Sequence, residues 1–119
     1  FLLFFFLFIL KNSYGGTAQS ANLLAMHTLT KYLVLHGPED LAREAVDMLR
    51  LSLAHKSFDE SVFRPKLTEL TAEMALRAGD KVRARELFLA AAAEFATQSG
   101  CGCMAARCQT RAGTLGAND

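Results

Sequence analysis

The sequence predicts an all-α chain of antiparallel helical hairpins, on three observations. Apolar residues recur at three- and four-residue steps from about residue 17 onward, which is the helical period. Glycines at 37, 79 and 100 punctuate that pattern at the places where helices would end. Two segments 42 residues apart, beginning at Gly37 and Gly79, align without a gap. Strand-like alternation of apolar and polar residues is absent.

The first expected helix runs from about Thr17 to His36, with Leu23, Met26, Leu29, Tyr32 and Leu33 along its apolar side. Gly37 is expected to stop it, in the left-handed cap conformation that glycine adopts without strain. Pro38 then opens a second helix, to about residue 56, with Glu39 and Asp40 in its first turn, where acidic groups suit the helix dipole. Leu41, Ala45, Met48, Leu49 and Ser52 share one face, and His55 and Lys56 place basic groups at its end.

Residues 57–64 read as a connector. Ser57 and Glu60 have capping-box spacing, but Pro65 would break a helix that had begun at Ser57. The third helix therefore starts near Pro65 and runs to Ala78, with Leu67, Leu70, Met74 and Ala78 on one face. Gly79 ends it, and Asp80 is a good N-cap for the fourth. That fourth helix, about Lys81 to Thr97, carries one stripe of Ala84, Leu87, Phe88, Ala91, Ala92 and Phe95. The small run Ala90 to Ala93 would let a neighbouring helix approach closely. Gly100 ends it. A fifth helix starts around Gly102 or Cys103 and fades between Gly113 and Gly116, with Met104, Ala105, Cys108, Ala112 and Leu115 toward the fourth.

Residues 1–16 are of another kind. FLLFFFLFIL is wholly apolar, and KNSYGG reads as a linker. Ten apolar residues are too few to span a bilayer, which takes about 20. They fit the core of a signal segment, with Ala18 and Ser20 as small residues before a cleavage, although no basic leader precedes them. They are expected to lie outside the packed region, 17–119. A first residue of Phe rather than Met predicts a fragment or a processed product.

Within the aligned segments, Gly37, Ala42, Arg43 and Glu44 coincide with Gly79, Ala84, Arg85 and Glu86. Val46 falls on Phe88, Leu49 on Ala91 and Leu53 on Phe95. Gly lets the chain reverse; the small Ala lies where paired helices cross closely; Val46 or Phe88 fills the gap beside it. A small residue in the first helix, Gly at the turn, and small, aromatic, small in the second helix form the pattern of the tetratricopeptide repeat. Ala72, Gly79, Ala84, Phe88 and Ala91 resemble it well, and Thr30, Gly37, Ala42, Val46 and Leu49 are a degenerate copy. The usual period is 34 residues, so 42 resembles the longer variants, found in kinesin light chains and in sensor regions of some large transcriptional activators. The likeness covers roughly residues 20–116, in units of about 17–56, 57–100 and a partial 101–119. It implies an α-solenoid that binds proteins. By the same offset Thr114 would correspond to Ala72, and the fifth helix would bare an apolar side prone to self-association.

The chemistry visible in the sequence points the same way. Thirteen basic and twelve acidic residues leave a net charge of +1, without the basic stripe of a nucleic-acid binder. Cys101, Cys103 and Cys108 are too few and wrongly spaced for structural zinc. An odd, clustered set of cysteines reads as reduced thiols, hence a cytoplasmic chain, with a secreted or membrane-associated one the alternative if residues 1–10 are a signal. No nucleophile has a base at a usable spacing. Glu69 and Glu73 share a helix face, as an acid–base pair would, but such a pair is far more often a solvated surface. The glycines are turn residues and form no phosphate loop. No enzyme, cofactor, metal or small-molecule substrate is expected. The family resemblance implies a peptide-binding groove lined by the first helix of each pair. Its positions here are Leu24, His27, Lys31 and Leu35, then Lys66, Glu69, Glu73 and Arg77, a lining of mixed charge. The expected function is a protein–protein scaffold; the alternative is a sensor module passing a ligand signal to an attached effector domain.

Overall fold

A computed structural model describes residues 16–54, 63–98 and 100–116; the side chains of residues 16–24, Ser52 and Ala54 lie outside that description. All the regular structure among the described residues is helical: α1 (Gly16–His36), α2 (Glu39–Ala54), α3 (Arg64–Arg77), α4 (Lys81–Ala96) and α5 (Gly102–Gly116). None of these helices is long and apolar enough to cross a membrane. The chain divides into two compact units, 1–57 and 58–119. Expectations for residues 1–15, for the Ser57–Glu60 capping box, and for His55 and Lys56 fall outside the described residues.

In the first unit α1 packs on α2 across a two-residue link, short enough to turn the chain straight back. The core side of α1 is Met26, Thr30 and Val34, one turn apart, all buried. Tyr32 was expected on this side and is instead 63% exposed, its ring 5.3 Å from that of His36. Thr30 is a polar residue with no exposure, and its hydroxyl is satisfied by donating to the Met26 carbonyl at 2.7 Å. From α2, Ala42, Ala45, Val46, Leu49 and Leu53 are buried.

Gly37 does not take the expected left-handed conformation; among the described residues only Gly79 and Gly100 have positive φ. Its constraint is steric. A Cβ here would lie 2.7 Å from Leu33 Cδ2 and 3.0 Å from the Leu33 carbonyl oxygen, which accepts the Gly37 N–H at 2.8 Å. Pro38 then breaks the helical ladder, and its carbonyl accepts the Ala42 N–H at 2.9 Å to start α2.

In the second unit α4 is the central helix, packed by α3 and by α5. Pro65 sits in the first turn of α3, where a missing N–H costs nothing. The end of α3 is a Schellman motif: Asp80 N–H reaches the Ala75 carbonyl, Gly79 N–H reaches that of Leu76, and Gly79 takes φ +88°. Ala78 is exposed at the C-cap and contributes nothing to the core. Asp80 caps α4 as expected, its carboxylate accepting from the Arg83 N–H at 3.1 Å. Ala84, Phe88, Ala91, Ala92 and Phe95 are buried in α4, joined by Ala72 from α3 and Ala105, Cys108, Ala112 and Leu115 from α5. Each of the two phenylalanines stabilises the fold by roughly 1.5–3 kcal/mol. Of the alanine run only Ala91 and Ala92 are buried; Ala90 and Ala93 face outward.

The expected apolar outer side of α5 is not there. The exposed large hydrophobic residues among those described are Tyr32, Leu35, Leu51, Val82 and Leu89, none on α5. Its outward positions include small, polar and charged residues: Ala106, Arg107, Gln109, Thr110, Arg111 and Thr114. The 42-residue register also stops short of α5, because Thr114 is exposed where Ala72 is wholly buried. The cause is connector length. α2 and α4 begin 42 residues apart, at Glu39 and Lys81, but α3 and α5 begin only 38 apart, at Arg64 and Gly102.

Candidate functional site

The residues expected to line a groove lie on α1 and α3, in different units. On α1, Lys31 and Leu35 are exposed and His27 is half-buried, as their helical spacing from the Met26–Thr30–Val34 core side requires. The exposed Tyr32 lies beside them. The side chain of Leu24 lies outside the described residues.

On α3, Lys66 is half-buried with its Nζ 5.3 Å from the centre of the Phe63 ring, a cation–π contact. Arg77 is exposed in the last turn, where a cation suits the helix dipole. Between them, Glu69 and Glu73 share a face as expected, but that face is occupied. Arg107 of α5 grips Glu69 through Nε at 3.1 Å and Nη2 at 2.8 Å. Arg111, one turn further on, donates to Glu73 Oε1 at 2.6 Å. The result is a two-rung ladder between α3 and α5. The carboxylates are 17% and 18% exposed, and the arginines above them 49% and 44%. A solvated pair of this exposure stabilises by about 0.2–1 kcal/mol. The guanidinium of Arg111 also lies 5.2 Å from the centre of the buried Phe88 ring, so the second rung roofs the core.

Beneath the first rung, Cys108 has no exposed surface, and its Sγ lies 3.5 Å from Glu69 Oε2. Burial first, and then the charge and hydrogen bond of Glu69, push this thiol up from 9.0 to about 12. Cys108 is therefore a protonated donor to a carboxylate and a poor nucleophile at neutral pH. Cys101 is half-buried against the core and Cys103 is exposed; all three cysteines are free thiols. Among the described residues no three His, Cys, Asp or Glu side chains gather as a metal site would require.

Arg107 and Arg111 were not expected to take part in any site. The sequence does carry a signal for them: two glutamates four apart and two arginines four apart form complementary pairs once the helices lie side by side. Their 38-residue separation differs from the repeat offset, which hid the match.

Compared with protein-family models, curated proteins and solved structures, the chain matches none of them.

Proposed function

We propose that this chain is a non-catalytic helical-repeat module of the tetratricopeptide kind, which holds a protein or peptide partner on the exposed faces of its first-of-pair helices. One observation carries the reading. Thr30, Ala42, Val46, Leu49 and Leu53 are buried in the first unit, and Ala72, Ala84, Phe88, Ala91 and Phe95, each 42 residues later, are buried in the second. Small residues fall at the same two positions of the hairpin in both, where helices cross closely. The likeness rests on these five pairs; elsewhere at the same offset the hairpins differ, buried Ala92 falling on exposed Arg50 and buried Leu70 on exposed Thr28. In such an arrangement second-of-pair helices carry the packing, and first-of-pair helices are left to meet partners.

The free thiols fit a reducing compartment, and the module acts in the cytoplasm. On α1 it would use His27, Lys31 and Leu35, and on α3 Lys66 and Arg77; Glu69 and Glu73, expected with them from the sequence, are engaged by Arg107 and Arg111.

Site-specific photocrosslinking tests the reading. Benzoylphenylalanine is placed at Leu35 on α1 and, separately, at the exposed Ala90 on α4. A discrete protein adduct from position 35 in cells, absent from position 90 and reduced by Lys31→Ala, is the expected result. Equal, diffuse labelling from both positions contradicts it.

A further inference from the structure

We propose that the α3–α5 face of the second unit docks an acidic peptide segment carrying two carboxylates one helical turn apart. The proposal rests on the scaffold reading and adds the chemistry of the partner.

The ladder is formally neutral, two acids against two bases, but its charges lie at different depths. Glu69 and Glu73 lie beneath, 17% and 18% exposed, while Arg107 and Arg111 lie outermost, 49% and 44% exposed. A molecule approaching this face meets guanidinium groups. The face stays neutral overall, but its two guanidinium groups lie nearer the solvent than the carboxylates that pair with them, and the half-buried Lys66 on α3 has the same sign.

Both arginines keep donors for a second acceptor. A guanidinium has five N–H groups in a planar fork. Arg107 spends Nε and Nη2 on Glu69, and Arg111 spends Nη2 on Glu73, so Nη1 of each takes no part in the ladder. Charge-assisted Arg–carboxylate bonds are strong and directional. The carboxylates below also hold each fork in place before a partner arrives, which lowers the ordering cost of binding.

The spacing selects the partner. Arg107 and Arg111 are four residues apart on one helix, about 6 Å along its axis. Two carboxylates four residues apart on a partner helix have the same separation. A nucleic-acid backbone would need a longer basic track, and a chain of net charge +1 does not supply one.

The test titrates the full 119-residue chain with three labelled helical peptides on one Ala/Gln background. They carry a Glu–Glu, Gln–Gln or Lys–Lys pair at positions four apart, and binding is followed by fluorescence anisotropy at low and physiological salt. The Glu peptide is expected to bind about tenfold more tightly than the Gln peptide, the scale of one charge-assisted hydrogen bond. Arg107→Gln with Arg111→Gln should erase that difference. Glu69→Gln with Glu73→Gln, which keeps the arginines and removes their internal competitor, should tighten the Glu peptide several-fold. Circular dichroism confirms that each variant is folded.

Equal affinity for the Glu and Gln peptides overturns the proposal. So does a glutamine pair at 69 and 73 that weakens binding as much as the arginine pair does, because the ladder would then only hold helices together. A single-stranded oligonucleotide binding as tightly as the Glu peptide would make the face a general polyanion surface and also overturn it. A peptide-free dimer that dissociates when Arg107 and Arg111 are replaced would assign the face to a second copy instead. Binding of the Gln or Lys peptide that is insensitive to Arg107 and Arg111 defeats this proposal but leaves the scaffold reading standing. Failure of all three peptides defeats it and counts against that reading too.

Discussion

The Sγ of Cys108 lies 3.5 Å from Oε2 of Glu69, the carboxylate oxygen that also receives Nε of Arg107 at 3.1 Å. One side chain of α3 thus holds a wholly buried thiol and a half-exposed guanidinium of α5. The inner and outer edges of this helix contact share a residue, and their properties are linked through it.

That link predicts the reactivity of the cysteines. In the folded chain a thiol reagent at pH 8 should label Cys103 fast and Cys101 more slowly. Cys108 should react only through opening, at a rate that rises with denaturant. Labelling of Cys108 as fast as Cys103 would contradict its burial. The pH dependence has a definite sign. Folding raises this thiol from 9.0 to about 12 by burial and by Glu69, so its contribution is complete below pH 9.0. It is lost as pH climbs through the window toward 12, because the unfolded chain then releases a proton the folded chain retains. Urea denaturation at pH 8 and pH 10.5 should show a larger loss for the parent than for Cys108→Ala. Equal losses would remove Cys108 as the source.

The two turn glycines should fail differently. Gly79 has φ +88° with open space around its Cα, so Gly79→Ala should cost about 1–2 kcal/mol in backbone strain and Gly79→Asn distinctly less. Gly37 has no such φ, but an added Cβ would lie 3.0 Å from the carbonyl oxygen and 3.1 Å from the Cα of Leu33, backbone atoms that can yield only slightly, besides the movable side-chain tip at 2.7 Å. Gly37→Ala should therefore be destabilising, and Gly37→Asn no milder. Thermal melts of the four variants decide; a rescue by Asn at 37 but not at 79 would reverse the assignment.

Asp80→Ala should cost about 1 kcal/mol, since it strands the Arg83 N–H at the start of α4. Asp80→Ser should recover most of it. Equal melting of Asp80→Ala and the parent would mean the cap is replaced by water at no cost.

Most local features of this fold and the apolar packing of α5 on α4 were legible in the sequence; the polar contacts between α3 and α5 were not. The Asp80 cap, the Gly79 turn and the α4 stripe are set within a few residues, and the structure has all three as expected. Helical spacing from Leu29 points Tyr32 toward the core, but spacing alone leaves a face about a residue wide undecided. The Thr30 hydroxyl, satisfied within its own helix, moves the core side onto Met26, Thr30 and Val34. The ladder is not legible in the sequence because it depends on how far α5 is carried by its connector, which changes the offset from 42 to 38. The turn at Gly37 is legible in the sequence but its cause is not, since close approach of Leu33 and a left-handed φ both call for glycine.

Equivalence of the two hairpins is tested most directly by urea denaturation of Ala42→Leu and Ala84→Leu, with Ala90→Leu as the exposed control. Ala42 and Ala84 have no exposed surface and lie 42 residues apart at the same point of each hairpin. Both changes should destabilise by about 1–3 kcal/mol through overpacking at the helix crossing, with Ala90→Leu within about 0.5 kcal/mol of the parent. If either Ala42→Leu or Ala84→Leu unfolds with the parent, the 42-residue register is not a structural repeat and the scaffold reading loses its support.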